Sequence, residues 1–188
     1  MTTLKVSDIK QFLNNKKDGD TISISQLELM SKKIVHNKAI VQLIKSCVDN
    51  YTPFHLKEQL VTQMYPQGIV QELIPTIALG RRAGHSTAAI AYAKQVTDRQ
   101  VYIVTNNSLQ VKELVKLLGP ATLSKTYYYH ALNNVTVMDL TCAVKHLIRI
   151  VPEDSIIIFD SSFAYNTPQL LPIISDLYLN HTVIFVGN

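Results

Sequence analysis

The sequence predicts an α/β protein: a mainly parallel sheet in a three-layer α-β-α arrangement, preceded by an N-terminal helical region. Three observations carry this expectation. After Pro75, short apolar runs alternate with segments of helical spacing, the pattern of strands joined by right-handed helical crossovers. Runs such as IIIF at 156–159 and VIFV at 183–186 are apolar without alternation, as strands buried on both faces are. Before that point the apolar residues recur mostly at helical intervals. The expected division is a helical region over residues 1–64 and an α/β core over 65–188, with the core shortened at its C-terminal side.

Each element has its own warrant. Val6, Ile9, Phe12 and Leu13 make a short apolar face that KKDGDT breaks, and Ile22 and Ile24 alternate briefly. Ser23 or Ser25 can cap a helix over about 26–47, with a break near Asn37. Thr52-Pro53 starts another helix, which runs to Met64. A turn at 65–68 and a short helix at 69–73 lead to Pro75. Strands are expected at 76–79, 101–105, 135–138, 155–159 and 182–186, and helices at 86–94, 109–118, 143–150 and 168–178. Gly119-Pro120 stops the second of these helices. The run Tyr127–Tyr129 fits a half-buried strand surface better than a base-stacking platform.

Composition narrows the class. The chain has 188 residues, of which 47% are hydrophobic and 17% charged, so it can bury a core and is not disordered. A net charge of +4 permits contact with nucleic acid without the dense basic stripe of a dedicated binder. Cys47 and Cys142 lack metal-ligand spacing and read as small buried hydrophobes. No apolar signal segment or membrane-spanning stretch is present, so the expected compartment is cytoplasmic and reducing.

The segment with most chemistry is TIALGRRAGHSTAAIAYAKQ. A strand enters a tight loop and the loop enters a helix, which collects backbone N–H groups where a phosphate can sit. Gly80 and Gly84 bracket the loop, and Gly84 allows close backbone approach. Ser86 stands where a hydroxyl would bind Mg²⁺ beside a β-phosphate, with Thr87 as its substitute or as a helix cap. The spacing departs from GxxxxGK[ST]. Three residues separate the glycines, and His85 takes the lysine position. Imidazole replaces a lysine charge poorly at neutral pH, so Arg81 and Arg82 are expected to supply forked contacts to phosphate oxygens. A second element is SIIIFD, whose terminal Asp160 suits Mg²⁺, often through water. Ser161 and Ser162 follow it, not a water-activating glutamate, so binding is better supported than hydrolysis. Asn106, Asn107 and Asn188 stand at other strand tips.

Over about residues 65–188 these motifs resemble the ATPase half of the large terminase subunits of tailed phages, and the wider helicase-like P-loop NTPases. Loops of that family commonly read S-R-Q-x-G-K-[ST], and some replace the lysine by an earlier basic residue; GRRAGHST is similar, with Arg81 at the early basic position. VYIVTNNSLQVKELVKLL resembles the family's second strand and helix, IIIFDSS its acidic strand, and VIFVGN its coupling strand. The resemblance implies a P-loop core binding ATP and Mg²⁺. Its adenine-contacting glutamine would be Gln67 or Gln71. Catalytic roles would fall on Arg81, Arg82 and Asp160.

Two functions fit these residues. One is a viral, terminase-like, ATP-binding and potentially ATP-hydrolysing protein of DNA packaging or processing, acting on double-stranded DNA. A homo-oligomer neighbour or partner protein would complete its site. The other is an inactive relative serving as a nucleic-acid or protein-binding regulatory module. An α/β scaffold without nucleotide is a third, weaker alternative.

Overall fold

The computed structural model describes residues 24–51, 57, 73–78, 83–119, 122–123, 129–132, 134–160 and 171–187. Twelve elements are present among them, in the order α1 (Ile24–Asp49), β1 (Thr76–Ile77), α2 (His85–Ala93), β2 (Val101–Thr105), α3 (Ser108–Leu118), β3 (Thr122–Leu123), β4 (Tyr129–Leu132), β5 (Val135–Asp139), α4 (Leu140–Ile150), β6 (Ile156–Phe159), α5 (Leu171–Asn180) and β7 (Thr182–Val186).

The strands form one sheet in the order β1-β7-β6-β2-β5-β4-β3. Its first five members pair in parallel, and β4 and β3 add an antiparallel extension beyond β5. The parallel strands β2, β5, β6 and β7 are buried at every position, which is why their sequences show no alternation.

Helices cover both faces. On one face α1, α2 and α3 pack through Ile40, Ile44, Ala88, Ala89, Val111 and Leu114 against Ile103, Val137 and Ile158. On the other, α4 and α5 pack through Ala143, Leu147, Ile174 and Leu177 against Tyr102, Ile157 and Phe185. Right-handed crossovers produce this arrangement. The chain moves from β1 to β2 to β5 with its helices on the first face. It then returns over β2 to β6 and β7 with its helices on the second. The three-layer α/β expectation therefore holds.

Local differences have physical causes. The helix over 26–47 begins earlier, at Ile24, and has no break near Asn37. α4 starts at Leu140, not 143, because Asp139 caps it. The hairpin β3–β4 was not anticipated as two strands, although its second strand includes Tyr129. α1 shares its apolar cluster with α2, so the helical region and the α/β core join across one continuous interior.

The far end of the sheet is tied together by polar contacts. Asn134 donates to the carbonyls of Val96 at 2.6 Å and Arg99 at 2.9 Å. Arg99 pairs with Asp154 at 3.0 Å and donates to Thr182 Oγ1 at 2.7 Å. Lys57, only 4% exposed, donates to the His181 carbonyl at 2.7 Å and lies 4.2 Å from the Tyr51 ring centroid. Burial, and then the Arg99 charge, lower the Lys57 amine to about 8.

Candidate functional site

The carboxyl ends of the five parallel strands make one rim, and α2, α3 and α4 all begin on that rim. In open α/β sheets ligands bind there, where neighbouring strands send their connections to opposite faces. β2 and β6 are such neighbours: α3 leaves β2 on one face, and α5 follows β6 on the other.

Two of the three helix starts are closed by side chains. The Asn107 side chain accepts from the Gln110 N–H at 3.0 Å, and Gln110 Oε1 accepts from the Asn106 N–H at 3.0 Å. Asp139 Oδ1 accepts from the Cys142 N–H at 2.8 Å. Each cap takes one first-turn donor, the Gln110 N–H in α3 and the Cys142 N–H in α4. The strand-tip asparagine Asn107 therefore does structural work as a cap.

α2 differs. Its N-cap is Gly84, in the left-handed region at φ 87°, and no side chain caps the helix. The first helical bond, Ala88 N–H to the Gly84 carbonyl at 2.9 Å, closes the turn. Among the described residues no side chain takes the N–H groups of the first turn, and the positive end of the helix dipole lies behind them.

Asp160 makes this helix start more than a turn. It follows β6, and its N–H donates to the Val104 carbonyl at 2.8 Å. The residue is 7% exposed. Burial pushes its carboxyl up to about 7, and a hydrogen bond from Ser86 pulls the other way. Oδ2 is buried with no hydrogen-bond partner among the described residues. A carboxylate buried in this way keeps a proton or takes a cation, because an unpaired charge in low dielectric is too costly.

Ser86 reaches Asp160 from α2, although β7 stands between β1 and β6 in the sheet. The residue at the tip of β7 is Gly187, at φ 115°, whose N–H donates to the Ile77 carbonyl at 2.9 Å.

His85 opens α2 and is 9% exposed. Burial, and then the nearby His36, lower its pKa, so the ring is neutral at pH 7. Its Nε2 is buried and has no hydrogen-bond partner among the described residues. Thr87 is exposed and does not cap the helix. Gly80, Arg81, Arg82, Gln67, Gln71 and Asn188 lie outside the described residues. Of the expected site, the structure thus brings Gly84, His85, Ser86 and Asp160 to one rim.

Among the described residues no group of three or more His, Cys, Asp or Glu is arranged to hold a metal. Ser86 Oγ and the Asp160 carboxyl are two oxygen groups that the described residues bring together here. Cys47 and Cys142 are free; Cys142 is buried as expected, Cys47 is only half-buried, and burial raises both thiols. No described helix is long and apolar enough to cross a membrane.

Comparison with known protein families and with curated proteins finds no match for the chain.

The sequence pattern did not point to Asn37, whose Oδ1 lies against Gly84, or to its neighbour His36. Helical periodicity marks both only as positions on a helix, and nothing in it says which loop the helix covers. Lys57 was likewise invisible, because a lysine is rarely buried this deeply.

Proposed function

We propose that the protein binds a nucleoside triphosphate, best ATP, with Mg²⁺ at the carboxyl rim of its sheet, as a P-loop protein of the terminase-like kind. The observation that carries this is the meeting of Ser86 with the buried Asp160, whose Oδ2 has no hydrogen-bond partner among the described residues. A hydroxyl in the first turn of an uncapped helix and a carboxyl at a strand end are the two protein oxygens that a phosphate-bound Mg²⁺ needs.

In this reading the first-turn N–H groups of α2 hold phosphate oxygens. Ser86 and Asp160 hold the cation, which displaces the proton that burial keeps on Asp160. Neutral His85 contributes hydrogen bonding without charge, and Arg81 and Arg82 supply the positive charge. The cation would neutralise charge on the phosphates. Hydrolysis would need a water-orienting group, and serines follow Asp160 in the sequence. Double-stranded DNA is the proposed polymer partner, and a second copy or a partner protein would complete the site.

The neutral, buried His85 favours a second reading: a regulatory module that binds nucleotide without turning it over. Calorimetry with ATP and ADP, with and without Mg²⁺, tests both. ATP binding that strengthens with Mg²⁺ and is lost in Ser86→Ala supports the site. No heat with either nucleotide sinks it. Binding without phosphate release selects the module. A DNA titration at two salt concentrations tests the polymer, since phosphate contacts weaken as salt rises.

A further inference from the structure

α1 lies alongside α2 and points the same way. At the ligand rim Asn37 meets Gly84, and at the far rim Lys45, Val48 and Asp49 share a cleft with Tyr92, Gln95 and Val96. The two helices therefore keep one register along their contact. Ala88, Ala89 and Ala93, all fully buried, let Ile40 and Ile44 approach closely. α1 begins at Ile24, so its first thirteen residues, about 20 Å of helix at 1.5 Å per residue, continue past the start of α2 on the ligand side of the sheet.

At the point of passage the contact is close. A β-carbon on Gly84 would stand 2.5 Å from Asn37 Oδ1. Asn37 Oδ1 and His85 Nε2 are both buried with no hydrogen-bond partner among the described residues. Asn37 Oδ1 can only accept, as phosphate oxygens do, so of the two atoms it is His85 Nε2 that an anion can satisfy, when that nitrogen carries the ring proton.

We propose that α1 forms a wall of the anion site, with Asn37 as a positioning residue that acts on the bound polyphosphate through Gly84 and His85. The inference rests on the nucleotide reading above and adds a partner element to it. The amide of Asn37 packs against the glycine that shapes the loop, so it sets how closely the first turn of α2 can close on a phosphate. Its side chain is uncharged, which leaves the field of the helix start intact. A carboxylate in its place would oppose every anion brought to that turn.

The test inserts that charge. Mg·ATP and inorganic pyrophosphate are titrated into the full chain by calorimetry, at low and high salt. The proteins are the wild type, Asn37→Asp, Asn37→Ser and Asn50→Asp. Asn50 is exposed just beyond the other end of the same helix, so it carries an equal charge change far from the loop. Asn37→Asp is expected to weaken both ligands at least tenfold, less so at high salt. Asn37→Ser, which removes the amide and adds no charge, should weaken both ligands about threefold at both salt concentrations, and binding equal to the wild type overturns the positioning role; Asn50→Asp should bind as the wild type does. Equal binding by the two aspartate variants overturns the assignment of α1 and leaves the nucleotide reading standing. No binding by the wild type to either ligand overturns both. If Asn37→Asp does not fold by circular dichroism, His36→Glu places the charge at an exposed neighbouring position. There a three- to tenfold weakening is expected, and no change overturns the proposal.

Discussion

Replacing Asp160 by asparagine should make the ligand-free protein more stable, and the gain should depend on pH in a specified way. Burial lifts the Asp160 carboxyl from 3.8 to about 7. The shift is roughly 3 pH units, and each is worth about 1.4 kcal/mol, so ionising Asp160 costs the fold up to about 4 kcal/mol. The sign follows from proton counting. Between pH 4 and 7 the folded chain holds a proton on Asp160 that the unfolded chain has released. Wild-type stability therefore falls across that window through this group, and the loss is complete above pH 7. Asparagine has no such proton, keeps the shape, and can still accept from Ser86. Near pH 4 the two proteins should be close, and by pH 8 the variant should lead by about 2–4 kcal/mol. Denaturant unfolding at pH 4, 5, 6, 7 and 8 reads this directly. A difference that stays flat with pH, or a variant less stable at pH 8, would refute the account of Asp160 as a buried carboxyl held ready for a cation. The same variant should lose Mg²⁺-dependent nucleotide binding, which separates stability from function at one atom.

Gly84→Ala faces two costs, a left-handed φ of 87° and a β-carbon 2.5 Å from Asn37 Oδ1. Denaturant unfolding should show a loss of about 2–3 kcal/mol, and pairing it with Asn37→Ala should restore about 1 kcal/mol. Lys57→Met tests the far end of the sheet. With the amine lowered to about 8 from 10.5, the folded chain releases its proton before the unfolded chain does, so wild-type stability gains up to about 3 kcal/mol between pH 8 and 10.5. Stability curves should show that rise in the wild type and not in the variant. His85→Lys should tighten Mg·ATP by about tenfold in calorimetry while lowering the melting temperature of the free protein, because it buries a charge where an imidazole was neutral. Asn107→Ala should cost about 1 kcal/mol in unfolding and leave nucleotide binding unchanged, since its side chain caps α3.

The order of elements after Pro75 was legible because apolar strands such as IIIF are too short for helices and too continuous for an exposed face. Asp160 and Ser86 were legible as separate motif positions. Their meeting depends on the strand order, in which β7 comes between β1 and β6, and no local pattern encodes that. The hairpin β3–β4 was not resolved, since two strands of two and four residues carry little periodic signal. The role of Asn37 was hidden for a related reason. A break was expected there because asparagine weakens helices, yet the helix runs through it and the residue serves a tertiary contact. Asp139 and Asn107 had the composition of caps and rim residues alike, and only hydrogen-bond geometry assigns them to capping.

The place of β1 in the sheet bears on when the protein becomes competent. β1 hydrogen-bonds to β7, with Thr76 opposite Phe185 and Ile77 opposite Val186, and it ends the described strand order. The strand that precedes α2 is thus anchored by the described strand latest in the sequence. During synthesis, β2, β5 and β6 can assemble while β1 still lacks its neighbour. Closing so long a span of chain is slow compared with local pairing. A chain caught before β7 is laid down would carry its sheet centre while Thr76 and Ile77 still lack their hydrogen-bonded neighbours, so the start of α2 would be framed only after the centre of the sheet has formed.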